Sequence, residues 1–209
     1  MLFRSVSKIV YTSCVAVSNG GDAGLPSQSE YDRTKRLAHF EVALPLQARG
    51  LPLALACLGR LYGPGDRSRA GRLLRLYALK RLPVMVGGET TFNWTHVADA
   101  AGGLRSIAES GEAGGARTLA GPALSTRDFF AACERATGLP APRLWLPAAA
   151  ALGLARSLHA INPGLAELLS EFTGLNYSAN ADGTRPELNW RARSVEEGVA
   201  DIREWFTTS

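Results

Sequence analysis

Apolar residues along this chain fall into two kinds of run. Lys8 to Val17 and Leu53 to Leu58 are continuous, rich in β-branched or aliphatic residues, and nearly free of charge. Such runs predict strands buried on both faces of a parallel sheet. Between them Leu37, Ala38, Val42, Ala43 and Leu46 recur at helical spacing. A helix is therefore expected from Tyr31 onward, stopped by Arg49-Gly50 with Pro52 just beyond. Strand, helix and strand at this separation make a right-handed βαβ unit. Ser18 to Glu30, rich in Gly, Asp, Pro and Ser, is expected to be the loop that opens it.

Farther along, Gly63-Pro64-Gly65-Asp66 reads as a turn at the carboxyl end of the second strand, where open α/β sheets place their ligands. An amphipathic helix over 69–81 turns Ala70, Leu73, Leu74 and Tyr77 inward and Arg69, Arg72 and Arg75 outward. Val84 to Trp94, broken by Gly87-Gly88, predicts a hairpin-like excursion, and Thr95 to Ala108 a helix that starts at Thr95 or His96. In that helix Asp99 reads as a capping and orienting residue. Arg117 to Gly121 is a short strand. Ser125 with Asp128 three places later then caps a helix that runs to Gly138. Pro147 to His159 and Pro163 to Phe172 are expected to be helical, as is the stretch from Ser194 to Trp205-Phe206. With no repeat and no low-complexity linker, the parts are expected to interleave, not to follow in series.

Composition narrows the picture. At 209 residues, 46% apolar and 20% charged, there is material for one core or two small ones. No apolar run is long enough to span a bilayer, and Met1-Leu2-Phe3-Arg4 lacks the architecture of a signal peptide. Cys14, Cys57 and Cys133 are odd in number and widely spaced, so a cytoplasmic protein with reduced, buried thiols is expected. The net charge of +4 is carried mainly by scattered arginines, with lysine only at 8, 35 and 80. No nucleic-acid module is visible, and neither a nucleic-acid nor a membrane partner is expected. His39 and His159 have no Cys or carboxylate at ligand spacing, so no metal site is expected.

Tyr31 and Lys35 are the candidate chemistry. Four residues apart on a helix, they share one face. A cation beside a phenol favours the phenolate and makes tyrosine a usable acid or base near neutral pH. A solvated helix face is the alternative reading of the pair. Gly63-x-Gly65 could cradle a phosphate on backbone N–H groups, but without a third glycine or a following Lys a plain turn is the better fit. Arg60 and Arg67 are candidates to face a substrate phosphate, since guanidinium pairs bidentately with phosphate. Solvated surface is their alternative, as it is for Arg69 and Arg72.

Four stretches fall in one order: Ile9-Val10-Tyr11-Thr12-Ser13, Tyr31-x-x-x-Lys35, Arg60-Leu61-Tyr62-Gly63-Pro64-Gly65-Asp66, and Phe92-Asn93-Trp94-Thr95-His96-Val97-Ala98-Asp99. With Leu188-Asn189-Trp190 before an acidic helix, the chain resembles the extended short-chain dehydrogenase/reductases from about Arg4 to Phe206. Within them it is most similar to the NAD-dependent epimerase/dehydratase and dihydroflavonol-reductase-like branch. The resemblance implies an α/β fold with a partial Rossmann-type parallel sheet and a small mixed C-terminal substrate-binding region. Residues 1–66 would belong to the NAD(P)-binding domain. Residues 67–209 would mostly bind substrate, with 95–121 packing back on the Rossmann core.

By the same resemblance, Tyr31 would exchange a proton with a substrate hydroxyl or carbonyl. Lys35 would lower the pKa of Tyr31 and, with Tyr31 and Ser13, hold NAD or NADP. Cys14 or the adjacent Ser13 would donate a hydrogen bond to the substrate oxygen. The implied function is NAD(P)-dependent epimerase, dehydratase or reductase chemistry on a sugar nucleotide or related small molecule. The alternative is a non-catalytic remnant or interaction subunit of the same fold.

Three departures from the family pattern feed that alternative. The glycine-rich dinucleotide turn is missing, so the chain is expected to lack the first half of the Rossmann domain and to bind cofactor poorly. Cys14 stands where the family has Ser or Thr, and the interval from Cys14 to Tyr31 is short. Without earlier strands, the strand from Ile9 to Val17 would present a free edge that pairs with another chain, so that a homodimer, an aggregate or a marginally folded chain is expected.

Overall fold

The computed structural model describes residues 6–18, 30–110, 114–158, 172, 178, 181 and 183–206. A three-stranded parallel sheet holds β1 (Ile9–Cys14), β2 (Leu53–Leu58) and β6 (Ala116–Leu119) in the order β1-β2-β6. The parallel register runs from Ile9 opposite Leu53 to Cys14 opposite Leu58. Strand β2 is the predicted continuous apolar run because both its faces are covered. Leu53 and Leu55 pack with Ala43, Leu44 and Tyr11 under the helix that follows Glu30. Ala54 and Ala56 face the other way, toward Leu104 and Ile107 of α5 (Val97–Glu109) and toward Leu188, Trp190 and Ala192.

Strand β1 differs from expectation in two respects. It ends at Cys14, and Val15 to Val17 turn at once into a short helix, α1 (Val15–Ser18), in which both valines are buried. Nor is it buried on both faces: Ser13 alone in the strand is buried, because β1 lies at the edge of the sheet among the described residues. The expected loop after Ser18 lies outside the described residues up to Glu30, and so does the expected helix from Pro163 to Phe172 except for Phe172 itself.

The chain leaves the parallel sheet at two points, and both are stitched by buried polar groups. After β2 it passes Gly59 into β3 (Arg60–Tyr62), which pairs in parallel with β5 (Thr91–His96). A Cβ on Gly59 would run into the Asn93 carbonyl and the Thr95 hydroxyl, so only glycine fits that crossing. After β6 it passes Gly121 into β7 (Ala123–Ser125), antiparallel to β5. There the Asn93 amide donates to the Gly121 carbonyl at 2.7 Å, and the Gly121 N–H donates to Thr95 Oγ1 at 3.1 Å. Asn93 and Thr95 are thus buried and satisfied, as buried polar groups must be.

The turn 63–66 therefore closes β3, and not β2 as the pattern suggested. The helix after it is α4 (Arg69–Ala78), capped by Ser68 Oγ, with Ala70, Leu73, Leu74 and Tyr77 buried as expected. No hairpin spans 84–94: β4 (Val84–Val86) pairs in parallel with β8 (Leu144–Leu146), while β5 pairs with β3 and β7. Gly87, at φ +61°, sits against the Phe172 carbonyl where a side chain would collide, and the turn it makes sends β5 away from β4.

Ser125 caps α6 (Thr126–Thr137), which stops at Gly138 in the left-handed conformation, both as predicted. Trp94 stacks on Phe129 of α6 at 3.8 Å between centroids. Tyr62 meets both rings edge-on, forming the centre of the second core. Helix α7 (Ala148–Leu158) follows β8. A capping box of Ser194 and Glu197 opens the helix Val195–Val199. Among the described residues no helix is long and apolar enough to cross a membrane.

Candidate active site

The helical stretch that carries Tyr31 and Lys35 is not uniform. It begins as α2 (Glu30–Leu37), widens into a π-helical segment (Ala38–Ala43), and continues as α3 (Leu44–Ala48). Pro45 explains the widening. It has no N–H to donate four residues back, and its ring crowds that carbonyl. The wider turn just before it re-phases the ladder, and the Leu44 N–H reaches back to the His39 carbonyl. Such turns are uncommon and recur at functional sites. The re-phasing also shifts the buried face. His39 and Ala43 point into the sheet, whereas Leu37 and Val42, expected inside, are exposed.

Alternation along β1 decides which of its residues meet this helix. Tyr11 packs on the helix side and Val10 on the α5 side. Ser13 shares Tyr11's side, and its hydroxyl lies 2.8 Å from His39 Nδ1. Ser13 and His39 are each only 4% exposed. Burial holds the His39 imidazole below its usual pKa, because the charged form loses its water. Burial, with a smaller contribution from Cys14, pushes the Tyr11 phenol up. Alternation puts Cys14, half-buried, on the α5 side.

The structure thus brings Ser13 to the helix of Tyr31 and Lys35 and places Cys14 on the opposite face of the sheet. Lys35 is half-buried in α2. Tyr31 lies one turn before it in the same helix, with its side chain outside the described set. Sequence reasoning passed over His39. The signal was there: it sits four residues after Lys35, and the strand alternation turns Ser13 toward it.

Arg60 and Arg67 are not brought to that face. The Arg60 guanidinium lies 4.5 Å from the Phe92 centroid, 4.5 Å from that of Phe172 and 5.6 Å from that of Trp94. It is held as a cation against three ring faces in the second core. Arg67 is exposed in the turn before α4. Gly63, at φ +146°, is pressed against Val97 and His96, so the Gly63-x-Gly65 turn is fitted to the start of α5.

His96 and not Thr95 caps α5, its Nδ1 accepting from the Ala98 N–H at 3.2 Å. Asp99 does not cap that helix. Its carboxylate takes the Arg193 N–H at 2.9 Å and the guanidinium at 2.8–3.1 Å. This pair ties α5 to the C-terminal segment, whose Trp190 Nε1–H donates to the Asp99 carbonyl at 2.7 Å. Cys57 and Cys133 are buried and form no disulfide, and burial pushes the Cys133 thiol well up. Among the described residues no group of three or more His, Cys, Asp or Glu side chains could hold a metal ion.

No family model matches the sequence. No curated protein matches it. Solved structures do match. The crystal structure of gox2253 aligns with 96% of this chain and 66% of its own, at 24% identity and a TM-score of 0.73. A nucleoside-diphosphate-sugar epimerase from Pseudomonas aeruginosa aligns at 22% identity and a TM-score of 0.69, over 96% of this chain and 67% of its own. The dTDP-glucose 4,6-dehydratase of Bacillus anthracis, in complex with NAD, gives 18% identity and a TM-score of 0.66, covering 95% and 61%. The chain therefore spans about two thirds or less of the length of these structures. At such identities the likeness shows the fold: the α/β, Rossmann-type fold found in NAD-dependent sugar-nucleotide epimerases and dehydratases.

Proposed function

We propose that this chain carries the catalytic part of an NAD(P)-dependent epimerase, dehydratase or reductase that acts on a hydroxyl or carbonyl of a sugar nucleotide or related small molecule. The observation that supports it most is the placing of Tyr31 and Lys35 one turn apart on α2, which runs on into the π-helical segment and α3 that pack on the parallel sheet of this fold. Matched structures hold NAD, and one holds UDP-glucose as well. Residues 1–66 would then form the cofactor side and 67–209 mostly the substrate side. The pairing of β6 with β2 supports 95–121 as the part that returns to the first sheet.

The residues present fit one end of the cofactor. Lys35 and Tyr31 would hold the nicotinamide ribose, and bound NAD(P) would supply the hydride donor or acceptor. A diphosphate cradle is not found among the described strand ends of the first sheet. There β1 runs straight into the four-residue α1, and Gly59 is packed against Asn93 and Thr95. Tyr31 exchanges the proton of the substrate oxygen, and the Lys35 cation holds the phenol in a range where it can do so. Ser13 stands on the same face, its hydroxyl engaged by His39. That engagement favours a second reading, an interaction subunit of the same fold without turnover.

Tyr31→Phe separates the two. With NAD(H) and a panel of uridine and thymidine diphosphate sugars, turnover should fall by about a hundredfold or more, while NAD affinity stays within about twofold. Turnover that survives the substitution unchanged would sink the proposal.

A further inference from the structure

We infer that His39 is a positioning residue: by holding Ser13 of β1, it fixes the helix bearing Tyr31 and Lys35 at one height and rotation on the sheet. The inference rests on the acid–base reading of Tyr31 and Lys35 given above. Three observations carry it. The Ser13–His39 hydrogen bond, 2.8 Å long, joins two side chains that are both almost fully enclosed. Each is the other's polar partner, and losing it would leave a buried polar atom unpaired, which ties strand to helix firmly.

His39 also lies at the start of the π-helical segment, where its own carbonyl accepts the re-phased bond from the Leu44 N–H. The side-chain anchor thus sits where the backbone phase changes. Finally, Tyr31, Lys35 and His39 follow at four-residue intervals, so rotating the helix at His39 swings the two residues above it. The ring is fixed in turn by Phe40, edge-on at 4.8 Å. Both side chains are only 4% exposed, and what the bond between them couples is strand to helix.

The test reads Tyr31 directly in the full chain, with no cofactor required. Carbon-13 labelling of the tyrosine ring carbon bonded to oxygen, with Tyr31→Phe to assign the signal, gives the titration of the Tyr31 phenol. In the wild type it should titrate below the ordinary value of about 10. His39→Leu should move it up by about one unit, and Ser13→Ala should move it the same way. His39→Asn, whose side-chain amide puts a polar atom where Nδ1 stood, should restore it. Circular dichroism establishes that each variant is folded.

If Lys35→Ala raises the titration while a folded His39→Leu leaves it at the wild-type value, the positioning role is overturned and the acid–base reading survives. Should His39→Leu fail to fold, an unmoved titration in Ser13→Ala overturns it equally. A wild-type phenol that already titrates near about 10 would overturn both readings together.

Discussion

Asp99→Ala tests the way α5 and the C-terminal segment are locked together. The Asp99 carboxylate accepts from the Arg193 backbone at 2.9 Å and from its guanidinium at 2.8 Å and 3.0 Å, an interaction with both oxygens engaged. Its side chain is 11% exposed and that of Arg193 37%. Breaking a fully buried ion pair costs about 3–5 kcal/mol, whereas an exposed one is worth about 0–1 kcal/mol. With one partner nearly enclosed and the other over a third exposed, solvent screens part of the attraction, and about 2–3 kcal/mol is the expected loss. Hydrogen bonds to charged groups, at about 1.5–3 kcal/mol each, agree with that scale.

For a chain of this size the midpoint of thermal unfolding should drop by about 4–12 °C. Thermal unfolding followed by tryptophan fluorescence measures that drop and urea unfolding the free energy, since Trp190 hydrogen-bonds to Asp99 itself. Arg193→Met and the double variant complete a cycle whose coupling energy isolates the pair. A loss under about 0.5 kcal/mol, or coupling near zero, would show that α5 and the C-terminal segment are held by packing alone.

Stability should also fall on mild acidification. His39 and His96 are both held below their usual value of 6.5, first by burial, so the unfolded chain takes up these protons before the folded one does. Their contribution is complete above about pH 6.5 and is lost as the pH drops through the interval down to their folded values. Glu196, kept below its usual 4.5 by Arg135, acts only at lower pH, so a urea midpoint unchanged between about pH 7 and 5 would refute the histidine account. At position 14, Cys14→Ser should leave turnover within about threefold, because that side chain is on the far side of the sheet from α2. A loss beyond about tenfold, roughly 1.4 kcal/mol, would give the thiol a role that this placement denies it.

Periodicity was enough to identify β2, α4 and α6, and the Ser125 cap and the Gly138 stop were readable as well. Each of these records in its own residues which side is buried and where backbone groups need a cap, and such information is local. Tyr31 and Lys35 were legible for the same reason: their relation is four residues on one helix. What lies across the chain was not. Val84 to Trp94 has the look of a hairpin, yet β4 pairs with β8 and β5 with β3 and β7, because strand partners are chosen by sheets that distant segments complete. Asp99 at the start of a helix reads as a cap, and only the arrival of Arg193 turns it into an ion pair.

The π-helical turn at His39 is set by Pro45 together with the sheet beneath. It shifts the inward face of that helix, leaving Val42 outside, and delivers His39 to Ser13. Local sequence determines how a segment can bury its apolar side. Only the folded chain decides which polar groups are then enclosed together, because a buried polar atom takes its partner from whatever element packs against it.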